Sequence, residues 1–268
     1  MVLLGVEKIY MFDIYANPQV QKLYEYYTDK GILEVTPLML PQVQLNEPFI
    51  QHMFLEHDAN MQAEVIPYNH CFLSHMYEYE YIGVMDTDEV IVPKGGMTSL
   101  RDLVNTAQKR ATSENLSPGS FIARNCYFFD NATINNMKPH FPKDVYEDIH
   151  RNIDDLDIPA YMHMSQRLFK SKNCTGPGMY IKSLHSTEAV VAVHNHYHFK
   201  VLDPKYINYD LNFDEGFMHH YRNGCPGEMK PVCYSDYQSD FEYDDSILQY
   251  YDRLKENVIR VLDDLGYF

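Results

Sequence analysis

The chain has 268 residues, 45% of them hydrophobic, which is enough for one large α/β domain or two small ones with a packed core. Its 38 acids against 22 bases give a net charge of −16. That field repels a phosphate backbone and sets duplex nucleic acid aside as a partner. No apolar run is long enough to span a bilayer, and the opening Met1-Val-Leu-Leu-Gly-Val is too short and unflanked to read as a secretory leader.

In chain order, Glu7 to Ile14 reads as a strand. Pro18 then opens a helix with Val20, Leu23, Tyr24 and Tyr27 on one face, and Gly31 stops it near Lys30. A second strand, Ile32 to Leu38, completes a β-α-β unit and predicts parallel pairing. Residues 42–58 read as a loop, and Asn60 to Tyr77 as a helix carrying Cys71 among apolar residues. Ser99 is placed to cap a helix from Leu100 to about Thr112. A long strand, Phe121 to Phe129, follows. Residues 130–160 are polar and without a clear period, so they are expected to be an extended loop. Met179 to Leu184 reads as a short strand, and Ala189 to Phe199 as an alternating one with His194, His196 and His198 on one face. Glu215 to Arg222 is a further ordered piece, and Asp245 to Leu265 an amphipathic helix.

The stretch with the strongest chemistry is Tyr81 to Pro93. Ile82, Val84 and Met85 suit a strand covered on both faces. Asp86, Asp88 and Glu89 then follow at its C-terminal end, where open α/β sheets place ligands. Three clustered carboxylates are costly unless a cation or strong donors offset their repulsion, so the cluster is a candidate oxygen site for Mn²⁺ or Mg²⁺. A solvated acidic turn would leave the same tripeptide, but the apolar strands on both sides leave little room for one. Of five cysteines, none forms a C-x-x-C pair, which argues against a zinc ribbon. Cys71 reads as a buried free thiol, and Cys225 and Cys233 could pair across a Pro/Gly turn in an oxidising compartment. Asn115, Asn131 and Asn173 begin N-glycosylation sequons.

Several pieces then coincide in order: Leu4-Gly-Val-x-x-Ile-Tyr-Met-Phe-Asp13, the strand with Asp86-x-Asp88-Glu89 and Pro93, Met179-Tyr-Ile-Lys182-Ser183, His194-Asn195-His196, and His220-Tyr221-Arg222. Together they resemble glycosyltransferase family 92, over nearly the whole chain from Leu4 to Arg222. Two positions depart from the family pattern, Tyr81 where Trp is common and Val90 where an aromatic is common. The resemblance implies an α/β, GT-A-like (Rossmann-like) mixed sheet flanked by helices, here read as N-terminally incomplete and lacking the usual first strand. Residues 1–240 would form that domain, with 241–268 as a C-terminal helix packing on it.

By the same resemblance the function would be metal-dependent, inverting transfer of a hexose, galactose in the family, from a UDP-sugar to a glycan or glycoprotein acceptor. Mn²⁺ or Mg²⁺ would be the cofactor. The setting would be the Golgi lumen, with the membrane reached only through an anchor that this chain does not carry. Asp88 is expected as the first metal ligand, and Asp86 either as a second or as a holder of the ribose and a metal-bound water. A later imidazole is expected from His196 or His194, although a His-rich edge strand in water would look the same. Arg222 suits diphosphate oxygens and equally suits pairing with nearby acids. Asp154 and Asp155 are the candidate base for the acceptor hydroxyl, since neighbouring carboxylates raise one another's pKa. Two other readings stay open: an inactive domain of the same fold that binds glycans or a partner, and a metal-dependent phosphohydrolase, for which no nucleophile can be placed.

Overall fold

The computed structural model describes residues 1–38, 57–225 and 230–267, with the side chains of 57–62 and 230 left undescribed. The opening unit is as expected. Strand β1 (Ile9–Asp13) and strand β2 (Leu33–Pro37) pair in parallel around helix α1 (Pro18–Asp29). Asn17 starts that helix, its side chain accepting from Gln19 N and Val20 N at 3.0 Å. The loop expected at 42–58 lies almost wholly outside the described residues.

Helix α2 (His57–His75) leads into strand β3 (Tyr81–Gly83), shorter than the expected strand, and the acidic turn joins it to strand β4 (Glu89–Pro93). Helix α3 (Leu100–Ser113) follows, capped by Ser99, whose Oγ accepts from Asp102 N at 3.1 Å. Leu103, Val104, Ala107 and Ala111 recur at helical spacing and bury against Ile91, Phe121, Leu184 and Met218 to form the main core.

The strand expected at 121–129 is two strands, β5 (Ser117–Ala123) and β6 (Asn125–Phe129), hinged at Arg124. Strand β5 belongs to a four-stranded sheet of order β11-β5-β8-β3. Its other members are β8 (Lys182–Ser186) and β11 (Tyr206–Asp210). Strand β6 belongs to the three-stranded sheet β4-β12-β6, with β12 at Gly216–Arg222. Met218 N donates to Arg124 O at 3.0 Å across the hinge, so the two sheets act as one bent central layer. Alternation alone cannot register such a hinge, because both halves are equally apolar.

Two more expectations change. The 130–160 stretch contains a 12-residue helix, α4 (Lys143–Asp154). Its buried stripe is only Tyr146 and Ile149, with Ile153 against the same cluster, and the polar residues between hid the period. The alternating stretch at 189–199 is a hairpin: β9 (Val190–Val193) and β10 (His198–Val201) run antiparallel, and His194 N donates to Tyr197 O at 2.9 Å in the turn between them. His194 and His196 therefore sit on a turn and not on one strand face.

Two small strands close the fold, β7 (Phe169–Ser171) against β13 (Phe241–Tyr243). Helix α5 (Lys230–Tyr237) precedes β13, and a 3₁₀ turn leads into the final helix, α6 (Tyr251–Asp264). That tail reaches back to distant elements: Gln249 Nε2 donates to Pro93 O at 2.9 Å, Tyr250 Oη to Thr98 O at 3.1 Å and Tyr251 Oη to Leu156 O at 3.2 Å. Cys225 pairs with Cys233 as expected, and a second disulfide joins Cys126 to Cys174. Cys71 is free, and burial pushes its thiol up to about 11. No helix among the described residues is long and apolar enough to cross a membrane.

Candidate active site

The acidic turn holds itself in shape. Asp86 N donates to Glu89 Oε2 at 3.0 Å, and Glu89 N donates to Asp86 O at 3.2 Å. Strand β12 then fixes the turn from one side, with Tyr221 N donating to Asp88 O at 2.9 Å and His220 standing opposite Glu89 in the ladder. Asp86 and Asp88 keep about half of their side-chain surface in solvent, whereas Glu89 is buried, its side chain 3% exposed.

Glu89 is the hub. Its Oε1 lies 3.5 Å from His220 Nδ1, and its Oε2 lies 3.3 Å from Lys182 Nζ. His220 turns its other nitrogen, Nε2, to Asp88 Oδ2 at 3.3 Å. Asn125, wholly buried on β6, places its amide nitrogen 3.0 Å from His220 Nδ1, and its Oδ1 has no partner among the described residues. The Asn125 amide N–H thus faces His220 Nδ1, and Nε2–H donates to Asp88 Oδ2; a cation taking the place of that proton would leave Nδ1–H for Glu89 Oε1. A carboxylate behind a histidine in this manner is how metal-binding imidazoles are commonly oriented. Asp88 is held below the usual carboxylate range, first by its hydrogen bond with His220 and also by the charge of Arg222, while burial opposes. Glu89 is raised by burial, which outweighs the pull of Lys182.

Lys182 opens β8 with a side chain only 1% exposed. Its ammonium donates to Asp86 Oδ2 at 3.0 Å and to Asn195 Oδ1, besides facing Glu89. Asn195 belongs to the β9–β10 turn, which is pinned from three sides. Asn69 of α2 exchanges two hydrogen bonds with Val193, Ser183 Oγ donates to His196 O at 2.6 Å, and His196 Nδ1 lies 2.8 Å from Ile181 O.

The expected residues thus fall into groups. Asp86, Asp88 and Arg222 share one neighbourhood. His196 lies on the Asp86 side, close enough to feel its charge, but burial lowers its pKa overall. His194 stacks on Tyr197 at 5.0 Å, and its Nδ1 is buried without a partner among the described residues. Asp154 ends α4 with Asp155 just beyond it. Both are exposed, and Asp154 pairs with His150 of its own helix at 2.7 Å. No hydrogen bond or ion pair among the described residues joins either to the acidic turn. Lys182, Asn195 and His220 stand in the segments that carry the family resemblance, but nothing in the sequence assigns any of them a role at the acidic turn, and Asn125 is not marked at all. The signal for Lys182 was there, a lone charge inside the apolar run Ile181-Lys182-Ser183-Leu184.

Among the described residues no three or more His, Cys, Asp or Glu side chains converge as a metal centre. Asp88 and His220 converge as a pair with Asp86 beside them. A Mg²⁺-like ion carried with a diphosphate needs only one or two protein groups, the phosphates and water supplying the rest, so the donors present fit that role. No curated protein matches the chain. The model of glycosyltransferase family 92 matches residues 1–259, and that span, with the mixed α/β layer and the acidic turn at its edge, makes this chain a member of glycosyltransferase family 92.

Proposed function

We propose that the chain transfers a hexose, galactose by its family resemblance, from a UDP-sugar to a glycan acceptor with Mn²⁺ or Mg²⁺ as cofactor. The observation that carries the reading is the Glu89–His220–Asp88 relay, a buried carboxylate orienting an imidazole toward a half-exposed one. The cation would be held by Asp88 with His220, with Asp86 beside them, and would supply charge stabilisation for the departing diphosphate. Asp86 is set to accept hydrogen bonds from the nucleoside. Arg222 adds a planar cation on the Asp88 side, suited to phosphate oxygens. His196, which feels the Asp86 charge, or His194 in the same turn is proposed as a further imidazole reaching the cation. An inverting transfer also needs a carboxylate base, for which Asp154 and Asp155 are proposed. The two disulfides suit an oxidising lumen such as that of the Golgi.

The test is calorimetry with UDP in the presence of Mn²⁺. Binding that disappears in Asp88→Ala and falls at least tenfold in His220→Ala is expected. Absence of UDP heat with metal present would leave a glycan-binding domain without transferase chemistry as the better reading. Asp154→Asn and Asp155→Asn test the base, which should lose turnover and keep donor binding.

A further inference from the structure

Lys182 is the feature that the proposed chemistry does not require. A lysine buried to 1% exposure is expensive unless its charge is met, and here it is met by two carboxylates and an amide oxygen. The arrangement is built and not incidental, because the amide comes from a turn fixed by Asn69, Ser183 and His196. Resting on the reading above, we infer that Lys182 is a resident counter-cation that makes capture of the divalent ion depend on the nucleotide diphosphate.

The argument is one of charge. Asp86, Asp88 and Glu89 bring three negative charges to one turn. Lys182 returns one at Asp86 and Glu89, and Arg222 returns a second that reaches Asp88. A free divalent ion therefore meets about one net negative charge and a nearby ammonium that repels it. The same ion arriving with a diphosphate brings its own compensating charge, and the repulsion from Lys182 is offset by attraction of that ammonium for phosphate. Without Lys182 the turn would be a strong acidic trap for any divalent cation, loaded or not. With it, metal and donor are taken up together.

The experiment is calorimetry on the whole chain with MnCl₂ alone, UDP alone and both. The wild type should bind Mn²⁺ alone at least tenfold more weakly than in the presence of saturating UDP. Lys182→Met should tighten binding of Mn²⁺ alone by at least tenfold and shrink the gain from UDP in step. Lys182→Arg, which keeps the charge, should behave as the wild type. Because Lys182→Met leaves two carboxylates facing each other, Lys182→Met/Glu89→Gln serves as a charge-balanced companion, with folding followed by circular dichroism. It should restore weak binding of Mn²⁺ alone. A wild type that binds Mn²⁺ equally with and without UDP overturns the inference whatever the variants do, as does a folded Lys182→Met with unchanged Mn²⁺ affinity. A wild type that takes up no UDP under any condition overturns the donor-site reading itself.

Discussion

Histidines show how burial decides chemistry at the scale of single residues. His220 has a carboxylate on each side of its ring and is oriented for work, whereas His185, fully buried on β8, has among the described residues Ser120 Oγ at 2.8 Å and the edge of Phe72 beside it and no carboxylate. Burial, with His198 adding to it, lowers His185 from 6.5 to about 3. Below pH 6.5 the unfolded chain binds a proton that the folded chain refuses, so this residue removes stability as pH falls from 6.5 toward 3. At pH 5 the loss from this one residue is about 2 kcal/mol. Urea denaturation at pH 7 and pH 5 should show His185→Gln losing less than the wild type by about that amount, and equal losses would contradict the assignment. Other buried histidines, such as His219, also lowered to about 3, act in both proteins and cancel in the comparison.

Among the elements, β12 does most to assemble the site, since it carries His220 and Arg222 and lies between β4, which begins with Glu89, and β6, which begins with Asn125. Its first residue is Gly216 for a steric reason. A Cβ there would lie 2.8 Å from Val92 O and 3.4 Å from the Leu103 methyls, so strand and helix α3 approach more closely than any side chain permits. Gly216→Ala should push β12 from β4, costing about 2 kcal/mol or more in chemical denaturation and loosening Mn²⁺-dependent UDP binding through His220. A variant of unchanged stability would show that the ladder tolerates the shift. Helix α3, which packs on this layer, begins at the Ser99 cap. Ser99→Ala should cost about 1 kcal/mol without touching donor binding, a control for stability loss alone.

For the molecule as a whole, the two disulfides differ in what they hold. Cys126 and Cys174 are 48 residues apart and tie the buried β6 to the segment before β8, while Cys225 and Cys233 are 8 apart and close one local loop after β12. Closing the longer loop restricts the unfolded chain more, by about 4 kcal/mol against about 2.5 in the loop-entropy picture. Cys126→Ala/Cys174→Ala should therefore lower the denaturation midpoint more than Cys225→Ala/Cys233→Ala. The reverse order would place the weight on native packing instead. The tail adds a second tie, since Gln249, Tyr250 and Tyr251 hydrogen-bond the main chain at 93, 98 and 156.

Local chemistry was legible from residue order. Pro18 and Gly31 bound a helix, Ser99 caps another, and Asp86-x-Asp88-Glu89 between two apolar runs marks a carboxylate turn at a sheet edge, because each of these depends on neighbours a few residues away. What residue order could not give is the set of partners that turns those carboxylates into a site. Lys182 meets Asp86 from 96 residues away, and Asn125 meets His220 from 95. The hinge at Arg124, the turn that takes His194 and His196 off a common strand face, and the Cys126–Cys174 link are of the same kind. Whether a lysine is solvated or a carboxylate buried depends on which strands are brought side by side, and desolvation, which sets the strength of every charge in this site, exists only once they are.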